Sequence, residues 1–193
     1  RYTIPQYSAV ATILVKDDKK GAMASELTAF ADLGLLNGTK SNVDNEVEIL
    51  KSRTLIESTV KKLGLQVSYW SDARIRPTEI YKKSPIEIIF SKVASDFYSK
   101  YHSYNVKGIS KSKFAFFDFE NSKIGEYNYG EVIVLPEGNC IIFKNKTNFV
   151  KDNFEIIINI NRVDKLVQSF KGRLNVAPFS KTTSIAELSI VDP

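Results

Sequence analysis

The stretch from Asn42 to Leu63 constrains this chain most, because it carries the longest uninterrupted helical pattern in the sequence. Val43, Val47, Leu50 and Thr54 recur at helical spacing on one face, and Ile49, Ile56, Val60 and Leu63 on a neighbouring one. Asn42 or Asp44 can cap the first turn, since a short side-chain oxygen accepts from the free N–H groups there. Asp44, Glu46 and Glu48 place negative charge at the positive end of the helix dipole, and Lys61 and Lys62 place positive charge at the other. Gly64 stands just past the last periodic residue, where a left-handed helix end favours a residue without Cβ. The pattern predicts a single helix of roughly 30 Å at 1.5 Å per residue. Shorter elements must be laid against it.

The flanking sequence supplies them. Tyr7 to Val15 is rich in β-branched residues and ends at the turn Lys16-Asp17-Asp18-Lys19-Lys20-Gly21, which predicts a strand. Met23, Leu27, Phe30 and Leu33 mark a short amphipathic helix stopped by Gly34. Leu65 to Trp70 returns as an extended segment, and Ser71 to Pro77 is a connector. From Ile86 to Ile160 strands dominate. Ile86, Ile88 and Phe90 alternate, as do Phe114 with Phe116, then Phe117 with Phe119 at an offset that predicts a bulge. Only Val93, Phe97 and Lys100 mimic helical spacing there. Pro136-Glu137-Gly138-Asn139 reads as a four-residue hairpin connection. Phe154, Ile156, Ile158 and Ile160 alternate with polar residues. Asn161 is placed to cap a second helix, with Val163, Leu166, Val167 and Phe170 on one face and Gly172 at its end. Two closing strands, Leu174–Ala177 and Ser184–Val191, follow.

This order predicts an α+β fold. Both chain ends build an α/β base, residues 1–80 and 160–193, with the long helix packed on a mainly antiparallel sheet. Residues 81–159 form an inserted β-rich subdomain, a sandwich or jelly-roll-like unit. The N-terminal strand should therefore pair in one sheet with the C-terminal strands.

Composition narrows the function. Lys and Arg exceed Asp and Glu by 27 to 22, so the formal charge is +5, but the lysines are spread along the 193 residues. That pattern fits a solvated basic surface and argues against a nucleic-acid partner. Cys140 is the only cysteine and His102 the only histidine, so neither a disulfide nor a Cys/His metal cluster can be assembled. No metal or cofactor is expected. Among the apolar runs the longest uncharged one, Ile4 to Val15, is well short of the roughly 18 residues a membrane helix needs. The chain starts at Arg1 and reads as an excised piece.

Catalytic signals are weak. Gly34-Leu35-Leu36-Asn37-Gly38-Thr39-Lys40-Ser41 misses the P-loop pattern, because Thr39 separates the glycine from the lysine. His102 has no nucleophile elbow to serve. Asp118 and Glu120, two apart on a predicted strand, could face one cleft as a glycosidase pair needs, but nothing else marks them. Cys140 reads as a small buried hydrophobe. No catalytic residue is assigned. Tyr98, Tyr101 and Tyr127 are candidates for stacking on sugar rings, although tyrosine is equally at home on a half-buried sheet.

A resemblance sharpens the expectation. Asn45-Glu46-Val47-Glu48-Ile49-Leu50-Lys51-Ser52-Arg53-Thr54-Leu55, then Val60 and Leu63-Gly64-Leu65-Gln66-Val67-Ser68-Tyr69, resembles the signature of the chain-length determinant (Wzz-type) family of bacterial polysaccharide co-polymerases. Pro5-Gln6-Tyr7-Ser8-Ala9, Glu79-Ile80-Tyr81-Lys82-Lys83-Ser84-Pro85 and the closing Ser180-Lys181-Thr182-Thr183 with Leu188–Pro193 are similar to further family segments. The β content between them resembles the capsular and exopolysaccharide tyrosine autokinases, the Wzc-like subgroup. The resemblance implies the periplasmic part of an inner-membrane protein, anchored by flanking membrane helices absent from this chain. It implies control of polysaccharide chain length and export through ring-like self-assembly. The partners would be other copies of itself, the membrane polymerase and export machinery, and the nascent polysaccharide. This portion would not be an enzyme, the tyrosine-protein kinase domain lying in the cytoplasm. Glu46, Ile49, Arg53 and Glu57, read as one stripe of the long helix, become the oligomer-interface candidates. The rival reading is a glycan-binding β-sandwich module with no chain-length role.

Overall fold

Long-range strand pairing dominates the computed structural model, which describes residues 6–15, 42–71, 77–145, 153–180 and 184–192. The amphipathic segment around Met23–Leu33, the P-loop near miss, most of the Ser71–Pro77 connector and Lys181–Thr183 lie outside those residues. In the described chain order, β1 (Tyr7–Leu14) is followed by α1 (Asn42–Leu50), α2 (Arg53–Leu63), β2 (Val67–Ser71), β3 (Thr78–Glu79) and β4 (Ile86–Ser91). Then come β5 (His102–Gly108), β6 (Lys113–Phe117), β7 (Lys123–Asn128), β8 (Val132–Leu135), β9 (Gly138–Lys144) and β10 (Glu155–Ile160). The chain closes with α3 (Val163–Arg173), β11 (Leu174–Pro178) and β12 (Ile185–Asp192). Single 3₁₀ turns occur at Tyr81–Lys83 and Phe97–Ser99. The protein is α+β, with every described strand pair antiparallel.

The chain divides into two units, residues 1–59 with 167–193 and residues 60–166, the cuts falling inside α2 and α3. In the first unit the sheet order is β1-β12-β11. β1 pairs with β12 from Tyr7↔Asp192 to Leu14↔Ile185, so the expected union of the two chain ends in one sheet is present. Val43 and Val47 of α1 are buried with Val176 and Ala186, and Leu50, Leu174 and Leu188 pack around them.

The single helix expected over Asn42–Leu63 is two helices, of 9 and 11 residues. The break has a local cause. The Lys51 N–H still reaches Val47 O (3.0 Å), but the Ser52 N–H tightens onto Ile49 O (3.0 Å). Ser52 then acts as the N-cap of α2. Its hydroxyl oxygen accepts from Leu55 N–H (3.3 Å) and its carbonyl from Ile56 N–H (3.2 Å). A serine hydroxyl offers the backbone this alternative to an unbroken ladder. The helix does end at Gly64 as expected. Gly64 has φ +68°, its N–H bonds Lys61 O (3.2 Å) and the Leu65 N–H bonds Val60 O (3.0 Å), the paired bonds of a Schellman end.

The second unit is a sandwich. One sheet has the order β3-β2-β10-β5-β6-β7, the other β4-β9-β8. Their inner faces share one core, in which Val106, Phe114, Phe116, Ile133, Ile142 and Ile158 are fully buried. The alternation along β10 buries Ile156, Ile158 and Ile160. The expected bulge is a register shift between Phe116 and Phe117. The unit begins near residue 60, earlier than the boundary expected at 80. The reason is that β2 pairs with β10 over Val67–Ser71 and β3 pairs with β2, which zips residues 67–79 into the large sheet.

Three local expectations differ. The β8–β9 hairpin closes through Pro136 and Glu137 alone, with Leu135 opposite Gly138. Pro136 excludes a positive φ at the first turn position, and Gly138, at φ +147°, supplies it instead. Asn161 does not cap α3, which starts at Val163 with the Arg162 carbonyl accepting from Leu166 N–H (3.0 Å); the Asn161 side-chain amide instead donates to the Ser68 hydroxyl (3.1 Å). Gly172 does not stop α3, which continues to Arg173, where the guanidinium pairs with Asp192.

Candidate functional site

The sandwich unit carries two grooves. The first, of about 580 Å³, lies among the start of β5, the β6–β7 turn and the β8–β9 hairpin, and is lined by Tyr101, His102, Asp118, Phe119, Val134 and Glu137. The second, of about 630 Å³, is lined by Gln66, Tyr69, Tyr81, Lys82, Ser84 and Tyr98 among others.

In the first groove Tyr101, His102, Ser103 and Asp118 already have structural tasks. The Tyr101 and Ser103 hydroxyls both donate to Asn159 Oδ1 (2.9 and 2.8 Å). His102 stacks on Phe97 at 4.5 Å between ring centroids, and its Nε2 lies 3.1 Å from Phe97 O. Asp118 is not on a strand, since β6 stops at Phe117. Its Oδ1 accepts from the backbone N–H groups of Glu120 (3.0 Å) and Ser122 (2.8 Å), so the carboxylate organises the β6–β7 turn. Glu120 is an exposed turn residue. The strand-face pair imagined for glycoside hydrolysis is therefore a turn cap and its neighbour.

The second groove is built by the Glu79–Pro85 segment. Ile80 N–H bonds Tyr69 O (2.9 Å) and Lys83 N–H bonds Ile80 O (2.7 Å). The buried Ser84 hydroxyl donates to Ile86 O (2.6 Å) and accepts from Ile86 N–H (3.3 Å), and Asn145 N–H bonds Pro85 O (2.8 Å). These bonds hold Tyr81 at φ +40°, a conformation in which a bulky residue is an outlier. Tyr81 is 49% exposed, with the Lys82 ammonium 5.6 Å from its ring centroid. Tyr69 and Tyr98 are half-buried walls packed against the sandwich core. The Tyr69 hydroxyl oxygen accepts from Ile88 N–H (3.0 Å), and Tyr98 meets Phe97 edge-on at 5.0 Å. Burial pushes both phenols above the ordinary tyrosine range, with the Ile88 bond opposing it at Tyr69. Both remain protonated donors at neutral pH. Gln66 Oε1 is buried and has no hydrogen-bond partner among the described residues.

The three tyrosines proposed for sugar stacking thus do not converge. Tyr98 lines the second groove and Tyr101 the first. Tyr127 lies outside both, on β7, with its ring 6.1 Å from Phe114. Tyr69 and Tyr81 were not singled out from the sequence as ligand contacts. The one signal at Tyr81 was its place in the Glu79–Pro85 segment; nothing local announces its left-handed backbone.

The interface candidates lie in the first unit, and the single stripe that linked them is divided by the break at Ser52. Glu46 and Ile49 belong to α1, Arg53 and Glu57 to α2. Ile49 and Arg53 are exposed, Glu46 and Glu57 half-buried.

Cys140 is a free, fully buried cysteine on β9, its thiol pushed up to about 12 by burial. A thiol reagent at pH 8 is expected to leave the folded protein unmodified and to label one cysteine on denaturation. Labelling of the native protein within minutes would contradict that burial.

Among the described residues no cluster of three His, Cys, Asp or Glu side chains could hold a metal, and no helix is long and apolar enough to cross a membrane. In comparisons with known proteins, no family model matches the chain and no curated protein matches its sequence.

Proposed function

We propose that this chain is the periplasmic portion of an inner-membrane polysaccharide co-polymerase that sets the chain length of a capsular or exopolysaccharide. The observation that carries the reading is the register Tyr7↔Asp192, together with the signature around Asn45–Tyr69. That register pairs Tyr7 with Asp192 in one sheet, an arrangement compatible with a domain carried on one membrane face. In this reading the small sheet with α1 is the base, and the sandwich is the β-rich insertion. Copies of the chain assemble as a ring in the membrane and work with the polymerase and export machinery. Membrane anchoring raises the effective concentration of each subunit, so contacts too weak to hold the isolated chain together suffice there. The chemistry of an autokinase would lie in a cytoplasmic domain, and this portion catalyses nothing.

The test uses the complete gene product in its own cells. Cysteines replacing Glu46 and Arg53, in a Cys140→Ser background, are expected to crosslink between subunits. Glu46→Lys combined with Arg53→Glu is expected to shift the length distribution of the polymer on a gel. Deletion of the gene without any change in polymer length would sink the reading.

The two tyrosine-lined grooves favour one alternative, a glycan-binding sandwich without a chain-length role. It predicts saturable binding of saccharide together with unchanged polymer length in the deletion strain.

A further inference from the structure

We infer that the groove formed by Gln66, Tyr69, Tyr81 and Tyr98 is a saccharide subsite, in which the exposed Tyr81 ring carries one uncharged pyranose of a polysaccharide.

Tyr81 is the first reason. Its backbone is held at φ +40° by the bonds that pin Ile80, Lys83, Ser84 and Pro85, and the result is an aromatic ring left 49% exposed. A residue recruited only for packing would be buried and would not need that backbone. Strain of this kind concentrates at sites that hold a ligand. The hydrogen-bonding inventory is the second reason. Gln66 lines the groove, and its Oε1 is buried without a donor among the described residues, so a sugar hydroxyl that reached it on binding would satisfy it. The Tyr69 and Tyr98 hydroxyls, protonated at neutral pH as any phenol is, add donor capacity to the same groove. An aromatic face with donors and acceptors around it suits a pyranose, whose ring has an apolar face and an equatorial belt of hydroxyls. Size and charge agree. At about 630 Å³ the groove falls in the range of small-ligand sites. Its charged lining residues, Lys82 and Glu87, offset one another, which favours a neutral ring over a phosphate or a uronate.

This inference rests on a polysaccharide being the partner of the chain. The experiment titrates the ¹⁵N-labelled 193-residue protein with neutral hexasaccharides prepared from the producing bacterium's own surface polysaccharide. Glucose, cellohexaose and oligogalacturonate serve as comparison probes. Saturable amide shifts are expected at Gln66, Tyr69 and Tyr81 through Ser84. Tyr81→Ala is expected to weaken binding about tenfold, Tyr81→Phe, which keeps the ring, by less than about threefold, and Tyr101→Ala not at all. The proposal is overturned by shifts confined to the Tyr101–Phe119 groove, by the absence of saturable shifts, by tighter binding of oligogalacturonate than of the neutral hexasaccharide, or by an unchanged Tyr81→Ala. Its failure is separable from that of the chain-length role. Binding at Tyr81 with normal polymer length in the deletion strain keeps the subsite and removes the role; altered polymer length without binding does the reverse.

Discussion

Replacing Phe116 by alanine is expected to destabilise the sandwich by about 3–5 kcal/mol. Phe116 is fully buried on β6, and its ring stacks on Tyr104 at 5.1 Å. Across the ladders it faces Val106 on β5 and Gly125 on β7. Gly125 brings no side chain of its own, and the Tyr127 ring lies over it, within about 3 Å of where a Cβ would stand, so the cost is that of an ordinary buried phenylalanine. Domains of this size are stable by about 5–15 kcal/mol in all, so the loss should appear as a large fall in the urea midpoint followed by far-UV circular dichroism. Phe119 supplies the internal comparison. It lies on the neighbouring turn and is 76% exposed, and Phe119→Ala should stay within about 0.5 kcal/mol of the parent. If Phe116→Ala does not yield folded protein, Phe116→Leu should remain folded with a smaller loss. A Phe116→Ala midpoint equal to that of the parent would mean that the shared core of the two sheets is not packed as described.

Gly138→Ala is the second large effect, expected at about 2–5 kcal/mol. Two penalties combine at this position. Gly138 has φ +147°, a region that side chains rarely enter, and an added Cβ would lie 2.7 Å from Val93 Cα and 3.1 Å from Lys92 O. These are backbone atoms and cannot swing aside. The Ala94 N–H bonds Glu137 O at 3.1 Å, which ties that segment to the hairpin. Gly64 separates the two penalties. It has φ +68° but no atom within 4 Å of an added Cβ, so Gly64→Ala should cost only the conformational share, about 1–2 kcal/mol. Thermal or chemical denaturation of the two variants side by side checks the difference. Equal losses would show that Val93 yields to the methyl group and that the hairpin contact is soft.

What the sequence determined alone was local. Alternation identified β10, because Ile156, Ile158 and Ile160 must share one face of any strand they form. The glycine at 64 announced a helix end, since only its missing Cβ makes the left-handed position inexpensive. The offset among Phe114, Phe116 and Phe117 carried the bulge, and the β-branched chain ends carried the sheet that joins them. Apart from that one sheet, partners were another matter. Alternation says that Val67–Ser71 is extended but not that β10 is its neighbour, and that pairing moved the unit boundary from about 80 to about 60. Helical periodicity runs through Lys51 and Ser52 without a gap, yet the Ser52 hydroxyl can serve either as an exposed helix side chain or as a cap, and here it caps. The candidate tyrosines followed the same rule. Tyr98 and Tyr101 are three residues apart and belong to different grooves, because the 3₁₀ turn at Phe97–Ser99 and the extended Lys100 redirect the chain between them. Tyr81 entered a site only when Tyr69 and Asn145, from two stretches distant in sequence, bonded Ile80 and Pro85 on either side of it. Local patterns report what a residue's immediate neighbours impose, whereas a groove is made by backbone bonds between segments distant in sequence, and only the folded chain brings those together.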